Sequence, residues 1–484
     1  MGDSVGEFRP TFNGSLHVEC REDRTTAEGG VVLLREIDDL AGLTAWLAEK
    51  LHDPRDPEKL VHPIVELLRT RLYLLAQGRR DQDDADTLRD DPALRLAVSM
   101  RRGVAPLQPA RVDELGRRRE PEGLASQPTL SRLNQILSDS ESRLVLREAL
   151  CKFAVQRILA TNGGRKHKSL GIDVDSFPIE AYGAQPGSAY NGHYEARIFH
   201  PLMASVAETG DILDLVLRRG NVHTADDSLD FILAILDKMK EACQSAFLRI
   251  DAGFPEDELL SAVEKRGVRY VARIKNNAVL NRMAEEYKKR PPGRPTKELR
   301  IWFYEKMYRA KEWSKPRRVV LVVQEKAGEL FLHHFWLITN CKKHRKSGEQ
   351  LLAMYRERGT AEGHQGEFKD VLAPALSSTQ RWKTKYRGQP PAKRTRPVDA
   401  FAHNEATLLL NALAYNLAHT GRALVAEATG KGWSLKTFRE RALLAASRIT
   451  THGRTITMVL GGIAGKVWQQ LWPRLTRVAV AGAT

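Results

Sequence analysis

Cysteine is scarce in this chain of 484 residues. The four cysteines, Cys20, Cys151, Cys243 and Cys341, are far apart and form neither a CxxC pair nor a Cys/His cluster. This pattern argues against a disulfide framework and against a zinc site, and it fits a reducing compartment.

Long apolar runs and several catalytic motifs are also missing. No run approaches the roughly 20 apolar residues of a membrane span, and the N-terminus lacks the basic-then-apolar order of a signal peptide. The sequence contains no P-loop, GxSxG or HExxH motif, which argues against an ATPase, a triad hydrolase and a zincin. We therefore expect a soluble, cytoplasmic protein that has no membrane partner and no nucleotide cofactor.

Basic residues, in contrast, are abundant. Lys and Arg total 76 against 60 Asp and Glu, which gives a formal net charge of +16. The summed field of such a chain favours a polyanionic partner such as nucleic acid, although many soluble enzymes are basic too. The length is sufficient for two or three domains with a sizeable core.

The hydrophobic pattern divides the chain into four segments. Residues 1–140 have helical periodicity from Val31 onward, which predicts either a DNA reader of the helix-turn-helix kind or a plain helical bundle. Residues 141–275 alternate strands and helices, and residues 276–340 contain three candidate strands. Residues 341–484 are again mostly helical, so the fold class that we expect is α/β.

Acidic residues lie on two of the predicted strands. Around residues 170–176, Asp173 and Asp175 alternate with apolar residues, so both carboxylates face the same side of a sheet. Two acids on one face are costly unless a cation or water meets them. A second apolar strand ends at Asp251, at the carboxyl end where α/β sheets commonly bind ligands; a helix cap is the alternative.

The most informative stretch runs from Gln350 to Leu372. If it is helical, with about 100° of rotation per residue, one narrow face carries a phenol, two cations and a carboxylate, namely Tyr355, Arg358, Lys369 and Glu362. A carboxylate between cations suits a metal ion held beside a phosphate backbone. A solvated charged helix is the alternative.

Three glycines interrupt the same stretch, at Gly359, Gly363 and Gly366. Each costs about 1 kcal/mol in a helix interior, so something other than helix propensity should account for them. Close approach of a nucleic-acid backbone is one explanation.

A strongly basic arm follows, over residues 376–398. Its cations include Arg381, Lys383, Lys385 and Arg387, and they are interleaved with aromatic residues and prolines. This composition is typical of a mobile arm that orders on DNA, and a solvated loop is the alternative.

The spacing Tyr355-x2-Arg358-x3-Glu362-x6-Lys369 resembles the signature of bacterial insertion-sequence transposases with a DDE active site, in the branch related to piggyBac elements. The residues Arg249-x-Asp251-x-Gly253-Phe254 are similar to the motif around the second acid of that family. The resemblance also extends to phrases near the N-terminus, so it covers most of the chain.

The first acid of the family has two candidates here. Counted from Asp175, the glycines and amides of the segment 183–191 keep the family's spacing, and counted from Asp173 they do not. Asp175 is therefore the choice and Asp173 the alternative. Phe177 stands where the family usually has Thr or Ser.

The resemblance implies an RNase H-like catalytic core. Residues 141–275 and 341–484 would form this core, residues 276–340 a β-rich insertion, and residues 1–140 a helical DNA-binding domain in front of it, with C-terminal helices behind. Aromatic residues of the insertion, such as Trp302, could stack on an extruded base, although each of them is also a candidate core residue.

The resemblance also implies the chemistry. Asp175, Asp251 and Glu362 would hold two Mg²⁺ or Mn²⁺ ions for end cleavage and strand transfer, while Tyr355, Arg358 and Lys369 position phosphates. The expected reaction is cut-and-paste transposition through a hairpin intermediate. The partners would be terminal inverted repeats and target DNA, bound by a homodimer at the bacterial nucleoid.

Two other functions remain open from the sequence. One is a metal-dependent DNA nuclease of the same fold that does not join strands. The other is a domesticated DNA-binding protein without catalysis, which the presence of all three acids disfavours.

Overall fold

The computed structural model describes residues 7–13, 15–20, 23–108, 123–183, 185–290, 292–293, 296–378 and 399–478. The chain forms two compact units. We call them the helical unit (residues 1–146, 370–375 and 413–479) and the sheet unit (residues 147–369, 376–412 and 480–484).

The helices are numbered here in chain order. The α-helices are α1 (Val31–Ala41), α2 (Leu43–Lys50), α3 (Ile64–Ala76), α4 (Asp84–Thr87), α5 (Pro92–Val98), α6 (Gln127–Leu137), α7 (Ser140–Ala160), α8 (Ser228–Lys238), α9 (Asp257–Lys265), α10 (Ala278–Glu285), α11 (Gly348–Arg356), α12 (Arg358–Glu367), α13 (Ala400–Thr429), α14 (Leu435–Phe438) and α15 (Gly462–Leu471). π-Helical turns cover Phe368–Leu372 and Arg439–Leu443.

The strands are numbered in the same way. They are β1 (Glu7–Phe8), β2 (Val18–Glu19), β3 (Thr25–Thr26), β4 (Leu170–Ser176), β5 (Ile179–Glu180), β6 (Ala189–Asn191), β7 (Ala196–Phe199), β8 (Leu202–Val206), β9 (Ile212–Val216), β10 (Ala246–Ile250), β11 (Arg269–Ile274), β12 (Arg300–Tyr308), β13 (Arg317–Glu325), β14 (His333–Thr339), β15 (Ser447–His452) and β16 (Thr455–Leu460).

The helical unit is built around α3, which is buried along its whole length. Burial of a mostly apolar helix is favourable provided that its polar side chains are paired. Tyr73 donates a 2.5 Å hydrogen bond to Asp38, and Arg69 donates to the hydroxyl of Thr44. The helices expected in the first 140 residues are therefore present, while the DNA-reading role of this segment remains a prediction.

The sheet unit contains a sheet of eight strands in the order β12-β13-β14-β11-β10-β4-β8-β9. Strands β4, β10 and β11 run parallel, and every other neighbouring pair in this sheet is antiparallel. A large mixed sheet with many helices confirms the α/β class.

The two faces of this sheet differ. Alternate residues of β4 and β10, such as Ile172 and Leu248, enter the main core on one face. On the other face Leu351 and Leu352 of α11 pack against Phe247 of β10 and its neighbours. Because side chains alternate along a strand, Asp173, Asp175 and Arg249 belong to the face that α11 covers.

The three strands expected between residues 276 and 340 are present as β12, β13 and β14. They continue the large sheet, since β14 pairs with β11 through Val271 and Thr339. The division of the chain at residues 140, 275 and 340 remains a prediction.

The signature stretch is not one continuous helix. Helix α11 ends at Arg356 and α12 begins at Arg358, with Glu357 between them, and the stretch closes in the π-helical turn. The Arg249 side chain donates to the carbonyl of Met354 at this junction. A side chain that takes a helix carbonyl is a known cause of such breaks.

Among the helices of the described ranges, none has the length and apolar character needed to cross a membrane.

Candidate active site

Two of the predicted acids lie at the carboxyl ends of neighbouring parallel strands. Asp175 is the penultimate residue of β4, and Asp251 follows the last residue of β10. The register pairs Asp173 with Arg249, so Asp175 and Asp251 come at the same level of the sheet. Asp173 and Arg249 are 76 residues apart in sequence. Asp175 and Asp251 each lie two residues later, so the fold brings together two acids with the same separation.

The guanidinium of Arg358 joins all three predicted acids. Its Nη2 atom lies 2.5 Å from Oδ2 of Asp175, and its Nη1 atom lies 3.1 Å from Oε1 of Glu362 and 3.9 Å from Oδ1 of Asp251. The phenol of Tyr355 donates to Asp251 at 3.4 Å. The cluster thus contains five residues predicted as site residues, from three parts of the chain: Asp175, Asp251, and the three residues Tyr355, Arg358 and Glu362 of the signature stretch.

The cluster is graded from the interior to the surface. The exposed fraction of the side chain is 16% for Asp175, 43% for Asp251 and 58% for Glu362. Arg358, at 11%, lies near the buried end. The outer carboxylates are thus open to a ligand from solvent, while Asp175 forms the floor.

The pKa shifts in the cluster follow from this arrangement. Burial raises the pKa of Asp175 above its ordinary value; the nearby Arg358 opposes the shift, and the charge of Asp251 adds to it. Burial would lower the pKa of Arg358, but the surrounding groups, first Asp175 and then Asp251, together raise it above its ordinary value. Burial and Asp251 also raise the pKa of Tyr355. The arginine therefore stays charged, and it carries the positive charge of the cluster.

Asp173, the alternative first acid, is engaged elsewhere. Both of its carboxylate oxygens accept hydrogen bonds from Arg249, each at 2.6 Å. The two side chains are 2% and 3% exposed. Asp173 therefore has a buried partner of its own, one row below the cluster.

Other predicted residues lie away from the cluster. The ammonium of Lys369 lies over the ring of Phe177, 5.9 Å from its centroid, and Phe177 itself packs edge-on against Phe368. Trp302 packs against the main core from β12 and is half-buried. The basic-arm residues Arg381, Lys383, Lys385 and Arg387 lie outside the described residues.

Two further residues near the cluster, Arg249 and Tyr194, were not predicted as site residues from the sequence. Arg249 was visible only as part of the motif that includes Asp251, and its pairing with Asp173 depends on the strand register. Tyr194 lies between β6 and β7; burial raises the pKa of its phenol, and the charges of Asp175 and Asp251 raise it further. No spacing rule points to Tyr194, because its proximity to the acids arises from the tertiary fold.

The acids fit a divalent cation by their chemistry. Three carboxylates supply the hard oxygen ligands that Mg²⁺ and Mn²⁺ prefer. Within the ranges that the structure describes, no three His, Cys, Asp or Glu side chains are spaced to hold a metal ion. The Arg358 guanidinium contacts Asp175 and Glu362. The three carboxylates are thus suitable ligands for a divalent cation, and the positive charge beside them in this structure is that of Arg358.

The chain is similar to known transposases in sequence and in structure. A sequence model of the family described as "Transposase DDE domain group 1" matches residues 8–475. Among solved structures, the chain is similar to the cryo-EM structure of a piggyBac transposase synaptic complex with hairpin DNA, with 12% identity, a TM-score of 0.39 and coverage of 94% of this chain and 82% of that chain. No curated protein matches the chain.

The different partners of Asp173 and Asp175 generate a stability prediction. Asp173→Asn removes the buried counter-ion of Arg249 and leaves only the exposed Glu357 as its partner, so it should lower the free energy of unfolding by about 3 kcal/mol. Asp175→Asn should lower it by less, because Arg358 keeps Asp251 and Glu362 as partners and the repulsion from Asp251 disappears. Urea unfolding followed by circular dichroism measures both. Equal losses in the two variants would contradict the assignment of Asp173 to a structural pair.

Proposed function

The chain belongs to the group 1 family of DDE transposase domains, and from this premise we propose that it catalyses cut-and-paste transposition of DNA by metal-dependent end cleavage and strand transfer. The observation that carries the proposal is the convergence of Asp175, Asp251 and Glu362 on one guanidinium. Asp175 is the first catalytic acid of the proposal, since Asp173 is held by Arg249.

The strand order supports an RNase H-like core. Five strands lie in the order β9-β8-β4-β10-β11, with β8 antiparallel to both of its neighbours and β4, β10 and β11 parallel. This arrangement is typical of such cores. The first acid lies on the central strand β4 and the second lies beside it at the end of β10, where ligands of α/β sheets commonly bind.

The three acids would hold two Mg²⁺ or Mn²⁺ ions, with Glu362 at the open side. When bound, such ions lower the pKa of water and neutralise charge on the phosphate oxygens of a scissile strand. Asp175 anchors the inner side of the site because it is the least exposed of the acids. Tyr355 orients Asp251 through its hydrogen bond and leaves the carboxylate's other oxygen for a ligand.

Arg358 has two roles in this proposal. In the structure it offsets part of the negative charge of the acids. With DNA it turns its planar fork to a phosphate of the transposon end, a geometry that guanidinium matches well. Tyr355 and Lys369 would contact neighbouring phosphates, and contacts of this kind position DNA without reading its sequence.

The glycines of α12 support close approach by DNA. A Cβ atom built at Gly359, Gly363 or Gly366 meets no described atom within 4 Å. Packing of the described protein therefore does not require glycine at these positions. A bare helix surface next to Arg358 and Glu362 leaves room for a nucleic-acid backbone.

The remaining DNA contacts are proposed from the sequence. The helical segment 1–140 would bind the terminal inverted repeats, the basic arm would follow the phosphate backbone, and Trp302 is the candidate for stacking on an extruded base. The hairpin intermediate, the target DNA and a homodimer in the DNA complex belong to the same proposal.

Glu362 provides the direct test of the chemistry. Glu362→Gln should lower Mg²⁺-dependent cleavage of a labelled duplex from the DNA that flanks the coding sequence by at least about 100-fold, because a metal-binding carboxylate is lost. Its dissociation constant for the same duplex, measured by fluorescence anisotropy, should stay within about twofold. Glu367→Gln, on the same helix, is the matched control and should cleave normally. Cleavage by Glu362→Gln at the wild-type rate would overturn the assignment.

Strand transfer is tested on the same material. Wild-type protein incubated with precleaved ends and a plasmid should give joined products. Cleavage without any joining would favour a nuclease of the same fold.

The double role of Arg358 gives a prediction that does not depend on activity. Arg358→Gln should bind Mn²⁺ on the order of tenfold more tightly than wild type in the absence of DNA, because the cation no longer competes with the guanidinium. Electron paramagnetic resonance of free Mn²⁺ measures this affinity. Lys369→Gln removes a cation outside the cluster and should leave it unchanged. Weaker or equal binding by Arg358→Gln would contradict the competition.

A further inference from the structure

A second row of charged residues lies directly beneath the proposed catalytic row, on the same face of the sheet. Asp173 and Arg249 each precede a catalytic acid by two residues, and Glu357 immediately precedes Arg358. Arg249 connects the other two: it pairs with Asp173 and donates to Glu357 at 3.0 Å. We call these three residues the lower clamp.

The lower clamp is attached firmly to the sheet. Asp173 and Arg249 are paired across β4 and β10 in the strand register, and their two 2.6 Å hydrogen bonds form the planar bidentate arrangement. Such pairs fix direction as well as distance. With exposed fractions of 2% and 3%, neither side chain is accessible to DNA or to a substrate.

Arg249 also contacts the junction between α11 and α12 in the signature stretch. The Nη1 atom of Arg249 donates both to the carbonyl of Met354, in the last turn of α11, and to the carboxylate of Glu357 at 3.0 Å. One guanidinium therefore fixes the point at which α11 ends and α12 begins. A cation at the C-terminal end of a helix is also favoured by the helix dipole.

The orientation of α12 decides where the catalytic residues point. Arg358 is its first residue and Glu362 lies one turn later, so both rotate together with the helix. A rotation of one residue, about 100°, would turn both Arg358 and Glu362 away from Asp175 and Asp251. Leu351 and Leu352 seat α11 against the sheet, and α12 buries Ala361 and Gln365. The contacts of Arg249 at the junction connect the start of α12 to β4 and β10.

We propose that Arg249 is a positioning residue of the transposase active site, which acts with Asp173 and Glu357 to set α12 so that Arg358 and Glu362 meet Asp175 and Asp251. The proposal rests on the function proposed above. A buried ion pair is often no more stabilising than an apolar pair of equal volume. In this proposal the Asp173–Arg249 pair fixes the position of α12, which carries Glu362, relative to β4 and β10.

Glu357 is the residue that separates positioning from stability. Its side chain is 69% exposed, so its removal should scarcely affect folding. Glu357→Gln should lower the single-turnover rate of end cleavage at saturating DNA and Mg²⁺ by about tenfold. Its DNA dissociation constant and melting temperature should stay at wild-type values. Glu349→Gln removes an exposed carboxylate from the first turn of α11 and is the matched control.

Arg249→Lys provides the second variant. It keeps the charge beside Asp173, but an ammonium has three N–H donors and cannot replace the four hydrogen bonds of Arg249, two of which form the bidentate pair with Asp173. Its cleavage rate should therefore fall further, by about 100-fold. If Arg249→Lys does not fold, Glu357→Gln alone decides the question. Wild-type cleavage rates in Glu357→Gln would overturn the proposal.

Hydrogen exchange keeps this test separate from the function itself. In Glu357→Gln the backbone amides of residues 358–365 should exchange faster than in wild type, while those of β4 remain unchanged. If the wild-type protein does not cleave DNA but the amides respond in this way, the proposed function fails and the clamp stands. If wild type cleaves and neither the rate nor the exchange changes, the clamp fails and the function stands.

Discussion

The site depends on one electrostatic constraint, which is that three carboxylates approach each other around a single guanidinium. Like charges in a partly buried site repel strongly, because the local dielectric is far below that of water. Arg358 balances this repulsion from a position that is 11% exposed, in contact with Asp175 and Glu362 and within 4 Å of Asp251. An arginine suits this task better than a lysine, since its planar fork reaches several acids and its charge is not lost on burial.

The same sheet face carries two charged rows with opposite properties. In the lower row both carboxylate oxygens of Asp173 accept from Arg249, whose Nη1 atom donates to Met354 and Glu357, and the Asp173–Arg249 pair is closed to solvent. In the upper row the acids become more exposed from Asp175 to Glu362, and their guanidinium is shared. The lower row, whose hydrogen bonds are all made within the protein, keeps a fixed arrangement. The upper row, whose acids share one guanidinium and are partly exposed, can exchange partners with a ligand. Spacing of two residues along a strand produces this division, because both rows project from the same side of β4 and β10.

Local patterns in the sequence were sufficient to predict part of this site. Alternation of apolar and acidic residues placed Asp173 and Asp175 on one face, and the strands expected around Asp251 and in residues 276–340 are present. The pairing of Asp173 with Arg249 could not be read in this way, since it depends on the register of distant strands. The shared face was predicted for a continuous α-helix. Tyr355, Arg358 and Glu362 do meet, but Lys369 lies within the π-helical turn, which changes the rotation. Lys369 accordingly lies over Phe177 and not beside the acids.

The charge of the cluster bears on its order of assembly. Three ionised carboxylates and one guanidinium leave two negative charges, so the cluster as it stands repels a DNA phosphate. Two divalent ions would reverse the sign and leave two positive charges, and the phosphate would then be attracted. A guanidinium released from the acids would be free to bind that phosphate. Cations and DNA should therefore favour each other's binding, because each removes the opposition that the other meets, and Arg358 is the group through which the two are coupled.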